Sequence, residues 1–252
     1  MKITIIGNGT MGGLIKDALL KKHVFAQKDL FFIGRDDATT PNADIYLIAV
    51  KPQDFSEAAK RLKGVKGKIL ISIMAGIPTS KIAKVLPGNK VVRSMPNLGA
   101  KSLSSMTTWM TKGGSSKKNN LYPAERKMIK SILSSFGEEL EVKNDDMIDK
   151  ATALAGSGPG FMYFIADALT KQGVKFGFSK DDSQKLIKQM FTGTINTWNS
   201  STETAAELQK KVTSKKGTTE AGINSFKKNK LTSVLSRGLV AAYKRAKQLS
   251  KQ

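Results

Sequence analysis

A short strand pattern, Ile3-Thr4-Ile5-Ile6, runs straight into Gly7-Asn8-Gly9-Thr10-Met11-Gly12, and helical spacing through Leu14, Ile15, Ala18 and Leu19 follows. Strand, glycine turn and helix in that order form the context in which a Gly-x-Gly-x-x-Gly spacing holds a dinucleotide. Gly7 permits the turn, Gly9 lets the backbone approach a pyrophosphate, and Gly12 lets the helix lie close to the strand. Asn8, Thr10 and Met11 complete the candidate cofactor loop. A unit of this kind commits its surroundings to alternating strands and helices, with the ligand at the carboxyl ends of the strands.

The same unit recurs along the first half of the chain. A second strand, 30–33, ends at Gly34-Arg35-Asp36-Asp37. An acid at that point accepts a ribose 2′-hydroxyl, whereas an arginine pairs with a 2′-phosphate. Arg35 comes first and favours NADPH; Asp36 and Asp37 keep NADH as the alternative, or simply turn the loop. Residues 34–43 are short for a crossover helix and predict a compressed loop or a single turn. A third strand over 44–50 leads into Lys51-Pro52-Gln53, which places Ala49, Val50, Lys51 and Pro52 beside the cofactor. A fourth, 69–73, ends in Met74-Ala75-Gly76, and a fifth, 90–94, in Met95-Pro96-Asn97. A strand near 106–110, a polar loop over 112–120, a helix over 123–135 and a strand near 139–142 complete the pattern. Residues 1–144 thus read as a Rossmann-type, doubly wound α/β domain that binds NADP(H).

From 145 to 252 the pattern is helical, an all-α domain expected to bind substrate and to form the dimer. Ala155-Gly156-Ser157-Gly158-Pro159-Gly160 breaks it, and Phe161-Met162-Tyr163-Phe164-Ile165 is apolar on every side. Such a helix is expected to be buried, centrally or against another subunit, and predicts a homo-oligomer. Further helices are expected at 180–199, 203–212, 218–228 and 231–250. The loop 211–222 brings Gly217, Thr218 and Thr219 to a helix start, where free N–H groups can hold an anion. Its plainer reading is an N-cap by Thr218 or Thr219, with Glu220 in the first turn.

Composition removes several chemistries. The chain has 252 residues, no cysteine and one histidine, so thiol catalysis, disulfides and multi-histidine metal sites are excluded; the expectation is a site without metal. His23 follows Lys21 and Lys22 at a helix end, the place of a dipole partner. No apolar run approaches the ~20 residues that span a bilayer. The strand pattern starting at Lys2 leaves no separate signal peptide, so a cytoplasmic protein is expected. With 42 Lys plus Arg against 20 Asp plus Glu the net charge is +22. Those cations are scattered and not interleaved with aromatics, which points away from specific nucleic-acid binding and toward attraction of small anions.

The residues together resemble a known family. Val212-Thr213-Ser214-x-x-Gly217-Thr218-Thr219 resembles the signature of the pyrroline-5-carboxylate reductases. Ile6-Gly7-x-Gly9-x-Met11, Ala49-Val50-Lys51-Pro52-Gln53, Arg93-x-Met95-Pro96-Asn97 and Gly156-Ser157-Gly158-Pro159 occur in order at family-like spacings. The resemblance implies hydride transfer from NAD(P)H to the C=N carbon of 1-pyrroline-5-carboxylate, giving L-proline. It implies Thr219 as the catalytic hydroxyl at the ring nitrogen, and Gly217, Thr218, Ser157, Gly158 and Pro159 as further substrate contacts. It also implies that Met74 to Gly76 join the cofactor segments. The chain departs from the family pattern at Lys216, which replaces a glycine, at Lys211, at Ser104-Ser105, at Gly160 and in the shortened 34–43. Two other readings compete. A β-hydroxyacid-type dehydrogenase would need a catalytic lysine, for which Lys150 or Lys171 could serve. A basic regulatory or nucleic-acid-associated protein would bind cofactor without activity.

Overall fold

The computed structural model describes residues 1–111 and 120–250. All of the sequence-predicted loop except Asn120 lies outside the described residues. Among the described residues there is one seven-stranded sheet, in the order β2-β1-β3-β4-β5-β6-β7. Its strands are β1 (Ile3–Ile6), β2 (Leu30–Ile33), β3 (Ile45–Ile48), β4 (Ile69–Ser72), β5 (Lys90–Met95), β6 (Ser105–Thr111) and β7 (Gly137–Glu141). The first five are mutually parallel, β6 runs antiparallel to β5, and β7 is parallel to β6. The order reverses at β1, which pairs with β2 on one side and β3 on the other. That is the switch point at which an open parallel sheet offers a crevice.

Runs such as Ile45-Tyr46-Leu47-Ile48 are apolar throughout because a parallel sheet is covered on both faces. Ile45 and Leu47 pack with Ile15 and Leu19 of α1 (Thr10–Lys21) and Ile129, Ile132 and Leu133 of α4 (Pro123–Ser134). Tyr46 and Ile48 turn to the other face, toward Phe55 and Ala58 of α2 (Phe55–Arg61) and Ile82 of α3 (Thr79–Val85). Residues 34–43 form a loop with no helix, the compressed alternative. The Gly34 amide donates to the Asp37 carboxylate at 2.6 Å, so Asp37 turns the loop.

The chain divides into two compact units, Met1–Pro159 with Ala241–Gln252, and Gly160–Val240. This division falls later than the change of pattern at 144/145, and side-chain bonds explain why. Arg93 on β5 is 1% exposed and pairs with Asp145 at 2.8 Å and Asp149 at 2.6 Å, tying α5 (Asp145–Ala151) to the sheet. The C-terminal segment joins the same unit. Tyr243 donates to Asp146, Ser250 donates to Asp149, and Leu249 packs on Gly76. After α5 the chain makes one wide π-helical turn, Thr152–Gly156, before α6 (Gly158–Lys175).

The second unit is helical. It holds most of α6, then α7 (Lys180–Asn199), α8 (Ala205–Lys211), α9 (Thr218–Lys228) and the first half of α10 (Leu231–Leu249). Ser179 caps α7, and Thr204 with Glu207 forms a capping box on α8. The all-round apolar helix is not a core helix of the single chain. Tyr163 is 65% and Phe164 77% exposed, and Phe176, Trp198, Phe226 and Val234 also stand in solvent. A helix this apolar needs cover. Among the described residues no helix is long and apolar enough to cross a membrane.

Candidate functional site

The glycine turn is built as its spacing requires. Gly7 has φ +112°, and a β-carbon there would sit 2.6 Å from the Ala49 carbonyl oxygen. A β-carbon on Gly12 would sit 2.2 Å from the Gly7 oxygen, so α1 starts against the turn with no space for a side chain. At Gly9 no described atom lies within 4 Å of an added β-carbon, which leaves the backbone open on that side. The amides of Gly7 and Ala49 donate to Ile33 and Ile6, closing the ends of β1, β2 and β3 together.

A cleft of about 380 Å³ opens at these strand ends, lined by Gly7, Asn8, Gly9, Gly34, Arg35, Ala49, Val50 and Lys51 among others. The cradle fits a dinucleotide: tight packing behind Gly7 and Gly12, an open face at Gly9, and the N-terminus of α1 beside it. Thr10, Met11 and Gly12 form the first turn of α1 without lining the cleft. Pro52 lies in a separate groove with Ile77 and Leu249. Met74 is buried at 2% exposure, its amide bonded to Ser72, and Gly76 (φ +72°) packs against Leu249. The cleft therefore brings together the glycine loop, Arg35 and Ala49 to Lys51, but not Pro52 or Met74 to Gly76.

The cleft is also lined by Gln53, named above only within a motif, and by Asp54, Glu57, Ala58 and Arg61, which sequence reading passed over. Asp54, Glu57, Ala58 and Arg61 have the i, i+3, i+4, i+7 spacing of one helix face, and that was the available signal. Arg35 pairs with Asp54 at 3.6 Å, and Arg61 donates to the Arg35 carbonyl oxygen.

Ser157, Gly158 and Pro159 sit at the junction of the π turn and α6. Asn97 donates from its side-chain amide to the Ala155 oxygen at 3.0 Å, and Met95 lies 3.4 Å from where a Gly156 β-carbon would be. The Met95-Pro96-Asn97 end of β5 is thus joined to the Gly156 loop. At the departure Ser104-Ser105, the Ser105 hydroxyl accepts from the Asn97 amide at 3.0 Å and holds the same strand end.

In the helical unit, α9 begins at Thr218, and its N-cap is Gly217 rather than either threonine. Among the described residues no side chain caps this terminus. The Ala221 amide is the first to find an intrahelical acceptor, the Gly217 oxygen at 3.1 Å. Thr218 and Thr219 are both exposed in the chain. Lys216 adopts φ +63°, the left-handed region, and its amide donates to the Glu220 carboxylate at 2.7 Å. The glycine-to-lysine departure therefore falls where glycine would carry no strain. Gly217 itself is needed for space, because a β-carbon there would meet the Ser214 hydroxyl at 2.3 Å.

Both lysines nominated for dehydrogenase chemistry are held in ion pairs within their own helices. Lys150 pairs with Asp146 at 2.8 Å and Lys171 with Asp167 at 2.6 Å, each one helical turn apart. The bond to Asp146 raises the Lys150 ammonium above its usual range, so it stays protonated at neutral pH. His23 ends α1 at φ +53°, with its amide on the Leu20 oxygen.

Comparison with known proteins agrees with this arrangement. The family described as pyrroline-5-carboxylate reductase dimerisation matches residues 145–249, and that described as NADP oxidoreductase, coenzyme F420-dependent, matches residues 22–76. The pyrroline-5-carboxylate reductase of Staphylococcus aureus (strain COL) is 32% identical over 273 residues, covering 99% of this chain and 98% of its own. That of Staphylococcus saprophyticus is 31% identical over 276 residues, covering 100% and 99%. Among solved structures, Plasmodium falciparum pyrroline carboxylate reductase with NADP bound aligns with TM-score 0.86 and 26% identity, over 99% of this chain and 98% of that one. The Coxiella burnetii pyrroline-5-carboxylate reductase aligns with TM-score 0.86 and 26% identity, over 100% and 99%. A glycine-lined cleft at the β1/β3 switch point, a Thr-Thr helix start and likeness along the whole length agree: the chain belongs to the pyrroline-5-carboxylate reductase family.

Proposed function

We propose that this chain reduces 1-pyrroline-5-carboxylate to L-proline with NADPH, the last step of proline biosynthesis. The observation that carries the reading is the family signature delivering Thr218 and Thr219 to a helix start that no side chain caps among the described residues. The first-turn N–H groups there are free to hold the substrate carboxylate, helped by the helix dipole. NADPH, when bound in the glycine cradle, supplies the hydride. The cyclic imine takes its proton from water and becomes a better acceptor once charged. The Thr219 hydroxyl oxygen accepts a hydrogen bond from that N–H and fixes which face of the ring is presented. A new C–H bond forms at the imine carbon, and the C=N pair withdraws onto nitrogen.

No general base of perturbed pKa is needed, so the contribution of the side chains is chiefly placement, worth up to ~7–11 kcal/mol in well-oriented systems. Gly7 to Gly9, with the start of α1, would hold the pyrophosphate, Ala49 to Lys51 would flank it, and Ser157 to Pro159 would line the substrate. The net charge of +22 raises the local concentration of an anionic substrate and an anionic cofactor. The exposed apolar surface of α6 and α10 is covered by a second copy of the chain, making a homodimer at least. The site of action is the cytoplasm. Thr219→Val tests the assignment: turnover should fall by about 10–100-fold, as for loss of one hydrogen bond to a charged group, with NADPH affinity within twofold of wild type. Unchanged turnover refutes the role.

A further inference from the structure

Arg61, on the last turn of α2, is the unexplained residue of the cofactor cleft. Its Nη2 donates to the Arg35 carbonyl oxygen, while its Nη1 is buried and has no hydrogen-bond partner among the described residues. The other charges nearby are matched: Arg35 with Asp54 at 3.6 Å, and Lys60 with Glu57 at 2.6 Å. Arg61 alone of this group has no carboxylate within ion-pair distance among the described residues. A buried guanidinium nitrogen left unpaired is costly, and an anion is the group that removes the cost. The Arg35 side chain is 84% exposed and its ion pair is long, so it is free to turn toward such an anion.

We infer that Arg61 and Arg35 form a two-guanidinium clamp for the phosphate on the ribose 2′-oxygen, and that Arg61 makes this chain selective for NADPH over NADH. The inference rests on the cofactor reading above. Placement supports it. Both residues line the cleft that holds Gly7 and Gly9, and both line a second cavity of about 600 Å³ shared with Asp54, Glu57 and Lys60. Arg35 follows the end of β2, the point at which the ribose is met, and Arg61 is bonded to that same backbone. The pyrophosphate has its own cradle at Gly9 and α1. The shortened 34–43 loop explains why a residue of α2 is called upon, since no helix between β2 and β3 fills that side. A dianionic phosphate between two guanidinium groups gains short, charge-assisted hydrogen bonds. A 2′-hydroxyl gains little, and leaves Arg61 unpaired.

The test is calorimetric titration of the full chain with adenosine 2′,5′-bisphosphate and adenosine 5′-monophosphate, which differ only in the 2′-phosphate, and fluorescence titration with NADPH and NADH. Wild type, Arg61→Ala, Arg61→Lys and Arg35→Ala are compared after circular dichroism confirms folding. Arg61→Ala should weaken the bisphosphate and NADPH by about 10–100-fold, with the monophosphate and NADH within threefold. Arg61→Lys should fall between, keeping charge but losing the fork. Arg61→Ala weakening all four ligands equally, or none, overturns the clamp while leaving the reductase reading intact. A wild type that binds none of the four overturns both.

Discussion

Lys216 offers a sharp test because one backbone angle decides the outcome. At φ +63° a side chain with a β-carbon is held in the left-handed region, at a cost of about 1–2 kcal/mol that glycine escapes. Glycine in turn loses more conformational entropy on folding, about 0.5–1 kcal/mol. The lysine side chain is exposed, and the bond to Glu220 at 2.7 Å uses the backbone amide, which any residue but proline retains. Lys216→Gly should therefore stabilise by about 0.5–1 kcal/mol, whereas Lys216→Ala, still strained, should stay within about 0.5 kcal/mol of wild type. For a chain of this length each kcal/mol moves Tm by roughly 2–4 °C, so the glycine variant should melt about 1–4 °C higher. The assay is denaturant and thermal unfolding at one protein concentration, because subunit association shifts the apparent stability. A glycine variant no more stable than the alanine variant would refute the strain argument.

Three further outcomes are expected. Gly12→Ala drives a β-carbon to 2.2 Å from the Gly7 oxygen, so the turn and α1 must part. Stability should drop by about 1–3 kcal/mol and NADPH affinity at least tenfold in a binding titration, while unchanged affinity contradicts the cradle. Arg93→Leu leaves Asp149, 4% exposed, without its cation, and should cost about 3–5 kcal/mol in urea unfolding; a loss under 1 kcal/mol would show that the buried pair does not hold α5 to β5. Asp146 accepts hydrogen bonds from Lys150 first, then Tyr243 and Lys247, which hold its carboxyl well below the usual range. A depressed acid stabilises fully above its unfolded value, about 3.9, and the effect fades as pH falls through the lower folded value. The near-ultraviolet signal that distinguishes wild type from Tyr243→Phe should thus persist at pH 5 and fade only below about pH 4; loss near pH 6 would argue against the assignment.

Much of the architecture was legible because it rests on local pattern. Apolar runs closed by small residues mark β1 to β5, and α7 and α9 begin and end where their spacing places them. The glycine turn was legible for the same reason, since Gly7 and Gly12 are tightly packed and Gly9 is left open. Long-range facts were not. That Gly76 packs against Leu249 depends on the C-terminal helix, far away in sequence. That the compact unit runs on to Pro159 depends on Arg93 reaching Asp145 and Asp149. The burial expected of Phe161 to Ile165 pointed correctly to a need for cover, but periodicity cannot say whether cover comes from the same chain. Thr218 and Thr219 looked like caps because hydroxyls usually are; Gly217 takes that position, leaving both hydroxyls uncommitted.

The most direct measurement is the loss of NADPH absorbance on adding 1-pyrroline-5-carboxylate to the purified chain, followed in parallel with NADH and with proline quantified at the end point. One mole of L-proline per mole of NADPH consumed, at a rate that NADH does not match, is the predicted result. Binding of NADPH with no substrate-dependent oxidation would contradict the central claim, and would mark the chain as a cofactor-binding protein without this activity.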